Sequence, residues 1–136
     1  RVMAESAVLR QGYTSNGLSI DGGGTFALPR LVGLARALEI AAFDQPISAS
    51  QALEWGLVTK VVPDSEVQKE ALSILEGLSR TALHSFAWSK RLFLESFTNT
   101  LETQLELERH GISDCARHPD GKEGVKAFVE KRKPVF

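Results

Sequence analysis

The feature that most limits what this chain can fold into is the run Gly17-Leu18-Ser19-Ile20-Asp21-Gly22-Gly23-Gly24-Thr25. Three consecutive glycines weaken any regular element. They also permit backbone with positive φ and close approach of another group. An apolar, helix-compatible stretch follows from Phe26 through Leu38. A Gly-rich turn that opens a helix leaves N–H groups unpaired, with the positive end of the helix dipole behind them. Asp21 stands just ahead of that end and is the candidate working residue. Asp is equally a favoured helix N-cap and turn former, so the segment alone leaves a structural reading open. Its spacing is not G-x-G-x-x-G, and no G-x-x-x-x-G-K-[ST] sequence occurs, which argues against dinucleotide and P-loop sites.

With 136 residues the chain suffices for one modest core. Sixteen basic residues against 17 acidic ones give a net charge of -1, which argues against a nucleic-acid partner. No apolar run is long enough to span a bilayer. Cys115 is the only cysteine, so no internal disulfide forms, and a reducing, cytoplasmic compartment is expected. His84, His110 and His118 lack metal-site spacing and read as surface or boundary residues. No metal or separate cofactor is expected.

Residues 1–14 read as one or two short strands, with Ala7-Val8-Leu9 the best candidate and Gly12 a break. A helix starts near Thr25 with Pro29 in its first turn, where a missing N–H costs little. Gly33 interrupts it, and a second helix runs from Leu34 to about Phe43, ended by Asp44-Gln45-Pro46. Ser48-x-x-Gln51 has the form of a capping box, with Gly56 as the C′ residue of the helix it opens. Leu57 to Val62 reads as a strand. Ser65-x-x-Gln68 is a further box, opening an amphipathic helix to about Leu83 whose apolar stripe (Val67, Ala71, Ile74, Leu75, Leu78) is core. Ser85 to Phe97 is a bulky aromatic face, and Thr100 to Cys115 another helix with a solvated charged side. Asp120-x-x-Glu123 marks a last N-terminus before a short helix from Val125 to Lys131.

Two or three short strands with about six helices do not make a self-sufficient sheet. The Phe86–Phe97 face and Phe136 have too little chain to pack against, so more polypeptide or other subunits are expected to cover them. The abrupt opening on Arg1-Val2-Met3-Ala4, with no lead-in, reads as the start of a fragment.

Four phrases in order resemble the second half of a crotonase (enoyl-CoA hydratase/isomerase) domain. They are Arg1-Val2-Met3-Ala4-Glu5-Ser6-Ala7, then Gly22-Gly23-Gly24-Thr25 through Leu28-Pro29-Arg30-Leu31-Val32-Gly33. Ile47-Ser48-Ala49 with Ala52 and Gly56-Leu57-Val58 is the third, and Glu123-Gly124-Val125 through Pro134 and Phe136 the fourth. The resemblance implies an α/β fold: the C-terminal part of a ββα spiral, mostly helical with few short strands. It implies spiral core over about 1–62 and a helical trimerisation region over about 63–136. Homotrimers or hexamers are the implied assemblies, and acyl-CoA the substrate, with coenzyme A entering as part of it.

The resemblance also assigns roles. Such enzymes hold the thioester oxygen between two backbone N–H groups, neither of which lies in this chain. Hydratases of the family use two glutamates, one of which would fall at Tyr13. Asp21 matches the catalytic aspartate of isomerase-type members, and the nucleophile of dehalogenase-type ones. The expected activity is enoyl-CoA isomerisation with Asp21 as acid/base. Tyr13 would line the acyl pocket, and Phe128 and Lys131 would approach a CoA site. Tyr13 reads equally as core, Phe128 as helix packing and Lys131 as a helix-end charge. Hydration or another lyase or hydrolase reaction is the alternative, and an inactive assembly module without its oxyanion hole is the third reading.

Overall fold

The structure, a computed structural model, describes residues 1–136. It divides into two compact units, Arg1–Ser73 and Ile74–Phe136.

In the first unit, β1 (Val2–Ala4) pairs in parallel with β4 (Lys60–Val62), Met3 facing Val61 across the ladder. A parallel pair needs a long crossover, and the chain between the two strands supplies it. Within that crossover β2 (Val8–Leu9) pairs antiparallel with β3 (Ile47–Ser48). Three helices complete it: α1 (Gly24–Val32), α2 (Leu34–Phe43) and α3 (Ala49–Glu54). Their inward faces bury Met3, Leu28, Ala37, Ile40, Ile47 and Ala52 in one cluster. Burying a Leu28 or Ile40 side chain contributes about 1.5–3 kcal/mol each.

The breaks between these helices have local causes. Gly33 separates α1 from α2 at φ 77°, ψ 160°, a conformation closed to residues with a Cβ. Asp44 ends α2 in the left-handed region at φ 47°. Ser48 opens α3 with a complete capping box, its hydroxyl accepting from the Gln51 N–H while the Gln51 side chain takes the Ser48 N–H. Gly56 follows α3 at φ 72°, and Leu57 N–H returns to the Ala52 carbonyl.

The second unit is helical. It holds the end of α4 (Val67–Ser79), then α5 (Leu83–Glu95), α6 (Leu101–Arg117) and α7 (Pro119–Val129). α5 and α6 meet where the Trp88 ring lies over Gly111: a Cβ there would come within 3.0 Å of the indole. Gln104 Nε2 ties the same pair by donating to the Leu92 carbonyl at 3.1 Å.

Several local expectations are corrected. Pro29 lies inside α1, not in its first turn, so the helix forgoes an interior hydrogen bond. The Ser65-x-x-Gln68 box does not form, because a 3-10 turn over Asp64–Glu66 leads straight into α4. The α4 helix ends at Ser79, short of Leu83, and none of its residues is buried. Leu72, Ile74, Leu75 and Leu78 are exposed, so its stripe is not core. The last helix starts at Pro119, with His118 as its N-cap in place of Asp120. Pro at the first helical position fixes the cap one residue earlier, and His118 Nδ1 accepts the Asp120 N–H. No helix is long and apolar enough to cross a membrane.

Candidate functional site

The site grows from the segment between β2 and α1. Tyr13 precedes a 3-10 turn over Thr14–Asn16, closed by Gly17 at φ 71°. Leu18 N–H comes back to the Tyr13 carbonyl at 3.0 Å, which folds the segment on itself. Asp21 follows, and its carbonyl accepts the Gly24 N–H at 3.0 Å. Gly22 and Gly23 take φ 59° and 82°, so the bend into α1 needs residues without a Cβ. A Cβ on Gly24 would meet Ile20 Cγ2 at 2.6 Å, so here the absence of a side chain is a packing requirement.

This fold brings Tyr13 and Asp21 together. The Tyr13 hydroxyl donates to Asp21 Oδ1 at 2.6 Å. The hydrogen bond and the neighbouring negative charge hold the Tyr13 phenol above its ordinary range, with a further contribution from burial. Tyr13 is therefore a neutral donor to the carboxylate at physiological pH. Asp21 itself is exposed. It does not cap α1: the N-cap is Gly23, and no side chain bonds that helix start. Of the two structural roles open to Asp21 in the sequence, it does not take that of N-cap, and it does take that of turn residue, through its carbonyl.

Beside this turn lies an apolar recess of about 160 Å³, lined by Ile20, Gly24, Thr25, Leu28, Pro29 and Leu38 among others. The Asp21 side chain is not part of its wall, but residues Ile20 and Gly24 on either side of it are.

Phe128 and Lys131 belong to the second unit. Phe128 projects from α7 with 84% of its surface exposed, so it is not packing its own helix. Lys131 lies just past the end of α7 in left-handed conformation, φ 52°, and its N–H donates to the Phe128 carbonyl at 3.2 Å.

Two groupings escape sequence reading. Asp44, only 1% exposed, accepts from Gly12 N–H at 2.7 Å, Ser15 N–H at 3.1 Å and Ser15 Oγ at 2.6 Å. The Ser15 and Gly12 hydrogen bonds, helped by Arg10, hold its carboxyl below the ordinary range against the opposing effect of burial. The sequence signalled only a helix stop. In the second unit His84 and His118 stack with ring centres 4.1 Å apart, and Asp114 accepts from the Trp88 indole and pairs with His84, each at 2.8 Å. Isolated histidines 34 positions apart carry no sequence signal of this contact.

Comparison with known proteins gives a consistent picture. The family model described as enoyl-CoA hydratase/isomerase matches residues 1–136. The chain is 38% identical over 135 residues to a protein of Rhodobacter capsulatus named probable enoyl-CoA hydratase, covering 99% of this chain and 52% of the relative. It is also 38% identical, with the same coverage, to the 1,2-epoxyphenylacetyl-CoA isomerase of Escherichia coli. The crystal structure of an enoyl-CoA hydratase from Bacillus anthracis superposes with a TM-score of 0.90 at 34% identity, covering 100% of this chain and 53% of that one. The chain thus spans about half the length of the curated relatives it matches.

Proposed function

This chain belongs to the enoyl-CoA hydratase/isomerase family, with the crotonase fold, and from that premise we propose that the whole protein is an acyl-CoA-processing enzyme, most specifically an enoyl-CoA isomerase. The observation that carries the isomerase reading is the Tyr13–Asp21 pair: one oriented carboxylate, held by a neutral donor and bound to no helix end. A 1,3-proton shift needs one such base. Asp21 takes a proton from the carbon between the thioester and the double bond. The electron pair moves into a dienolate whose negative charge rests on the thioester oxygen. The same proton, now on Asp21, returns to the far carbon, and the double bond has moved with no net change of atoms. The barrier is workable only if backbone N–H groups stabilise that oxygen. Those donors would come from the part of the enzyme that corresponds to the other half of the relatives.

Hydration is the second reading, favoured by the hydratase name of a relative as similar as the isomerase. It calls for two carboxylates, one to activate water and one to deliver a proton. Tyr13, where the second carboxylate would fall, counts against it.

Residues 1–62 would close the spiral core and residues 63–136 form the assembly region of a homotrimer or hexamer. The exposed Phe86, Phe93 and Phe128 are consistent with a covered face in that assembly. Phe128 and Lys131 would approach coenzyme A, and no further cofactor is proposed. A single cysteine suits a cytoplasmic setting.

The test is turnover of 2-enoyl-CoA and 3-enoyl-CoA by the full-length protein. Interconversion is expected, and 3-hydroxyacyl product would instead establish the hydratase. Asp21→Asn is expected to cost about 10²–10⁴ in kcat, the range for a lost general base. Retention of more than about a tenth of the activity would remove Asp21 from that role. Residues 1–136 alone are expected to turn over no acyl-CoA.

A further inference from the structure

Asp44 is the one charged side chain in the chain that is buried. Burying a carboxylate is costly unless hydrogen bonds replace its water, and here they all come from one short segment. Oδ1 takes Gly12 N–H at 2.7 Å, while Oδ2 takes Ser15 N–H at 3.1 Å and Ser15 Oγ at 2.6 Å. Arg10 adds a fourth tie: its Nε donates to the Asp44 carbonyl at 3.0 Å and lies 3.8 Å from Oδ1. Thr14 Oγ1 donates to the Ala41 carbonyl of α2 at 2.5 Å. The segment is therefore pinned to the end of α2 on both sides of Tyr13, and the Tyr13 hydroxyl is what holds Asp21. Asp44 keeps this arrangement from an unfavourable left-handed backbone, φ 47°, where glycine would sit at lower cost. A buried carboxylate that spends every one of its side-chain hydrogen bonds on one loop points to that loop as its purpose.

We propose that Asp44 is a positioning residue for the acid/base: by clamping Gly12 and Ser15 it sets the place of the Tyr13 phenol, and through it the direction of the Asp21 carboxylate. The proposal rests on the reading of Asp21 given above. A residue that merely stabilised the fold would leave the Tyr13–Asp21 contact intact in any variant that still folds.

Tyr13 is the only tyrosine of residues 1–136, and in the full-length protein its phenolate is read as the difference between near-ultraviolet titrations with and without Tyr13→Phe. In the unmodified protein it is expected to titrate above the ordinary phenol value of about 10, because the Asp21 carboxylate accepts its hydrogen bond. Asp44→Gly removes the carboxylate and leaves a residue at ease with the backbone. Ser15→Ala removes one donor and keeps the Gly12 and Ser15 N–H contacts, and it carries the test if Asp44→Gly unfolds. Both variants are expected to bring the Tyr13 titration back toward about 10, Ser15→Ala by less. Both are expected to lower kcat for 3-enoyl-CoA in the full-length protein while KM stays unchanged. Folded variants whose phenol titrates where the unmodified one does overturn the proposal, as does a shifted phenol with undiminished kcat. Asp21→Ala separates the two readings. If it leaves the phenol unmoved, the Tyr13–Asp21 pair itself is wrong and both readings fall. If it moves the phenol and the Asp44 and Ser15 variants do not, only the role of Asp44 falls.

Discussion

The Tyr13 hydroxyl and the Asp21 carboxylate share a proton-donating contact of 2.6 Å, formed between residues eight apart on either side of a left-handed glycine. Charge-assisted contacts of this kind are among the stronger hydrogen bonds, and Asp21 is exposed. Tyr13→Phe keeps the ring and removes the donor. The carboxylate is then free to rotate, and a misplaced base costs up to about 10² in rate. The expected result is a fall in kcat smaller than that of Asp21→Asn, measured on 3-enoyl-CoA with the full-length protein. Equal losses in the two variants would mean that Tyr13 does more than orient its neighbour.

Two glycines outside the site are expected to behave in opposite ways. A Cβ at Gly121 would lie 1.9 Å from the Cys115 carbonyl oxygen, and backbone cannot step aside as a side chain can. Gly121→Ala should destabilise by about 1–3 kcal/mol, the usual cost of overpacking. Gly77 lies inside α4 with open space where its Cβ would be. Gly77→Ala should stabilise by about 0.4–1 kcal/mol, chiefly by restricting the unfolded chain. Urea unfolding of the two variants checks both signs, and a neutral Gly121→Ala would show that α6 and α7 are less tightly joined than the geometry requires.

The capping box at α3 offers a sharper local test. Ser48 Oγ accepts the Gln51 N–H at 3.3 Å, and Gln51 Oε1 takes the Ser48 N–H at 3.0 Å. The helix it opens carries Ala49 and Ala52, 3% and 0% exposed, into the core of the first unit. Ser48→Ala should cost about 0.5–2 kcal/mol, and Ser48→Asp much less because it caps as well. A loss as large for Asp as for Ala would mean that the hydroxyl acts through something other than the cap.

Some signals that act within a few residues are legible. Gly33 breaks a helix, Ser48 and Gln51 cap one, and Gly56 ends one, each through backbone geometry that neighbours cannot veto. The α4 stripe was misread because periodicity states that a face is apolar and not what covers it. Asp120 lost the cap to His118 because Pro119 fixes the first helical position, a competition between adjacent signals. The role of Asp44 was invisible for a different reason. Its partners Gly12 and Ser15 lie some thirty residues away, and two of the three donors are backbone N–H groups, which nearly every residue has. Asp21 was legible as a candidate from its glycines, but its Tyr13 partner emerged only from the turn that folds between them.

The C-terminal segment is expected to loosen in acid. Arg132 grips Glu123 with both terminal nitrogens, at 2.6 and 2.9 Å, and Val135 N–H donates to the same carboxylate at 2.9 Å. These contacts, the Arg132 hydrogen bonds foremost and the Val135 N–H next, lower the Glu123 carboxyl to about 2. An unfolded glutamate titrates near about 4.3. The folded value is the depressed one, so the stabilisation is fully present above about 4.3 and is lost as pH falls through about 2. The pair is partly exposed, so added salt should weaken it. Amide exchange at Val135, expressed as a protection factor, should therefore fall across that window. Glu123→Gln should show the low protection at every pH, because a neutral amide holds Arg132 poorly. Protection at Val135 that is constant from neutrality to pH about 2 would mean that the tail is held by something other than this carboxylate.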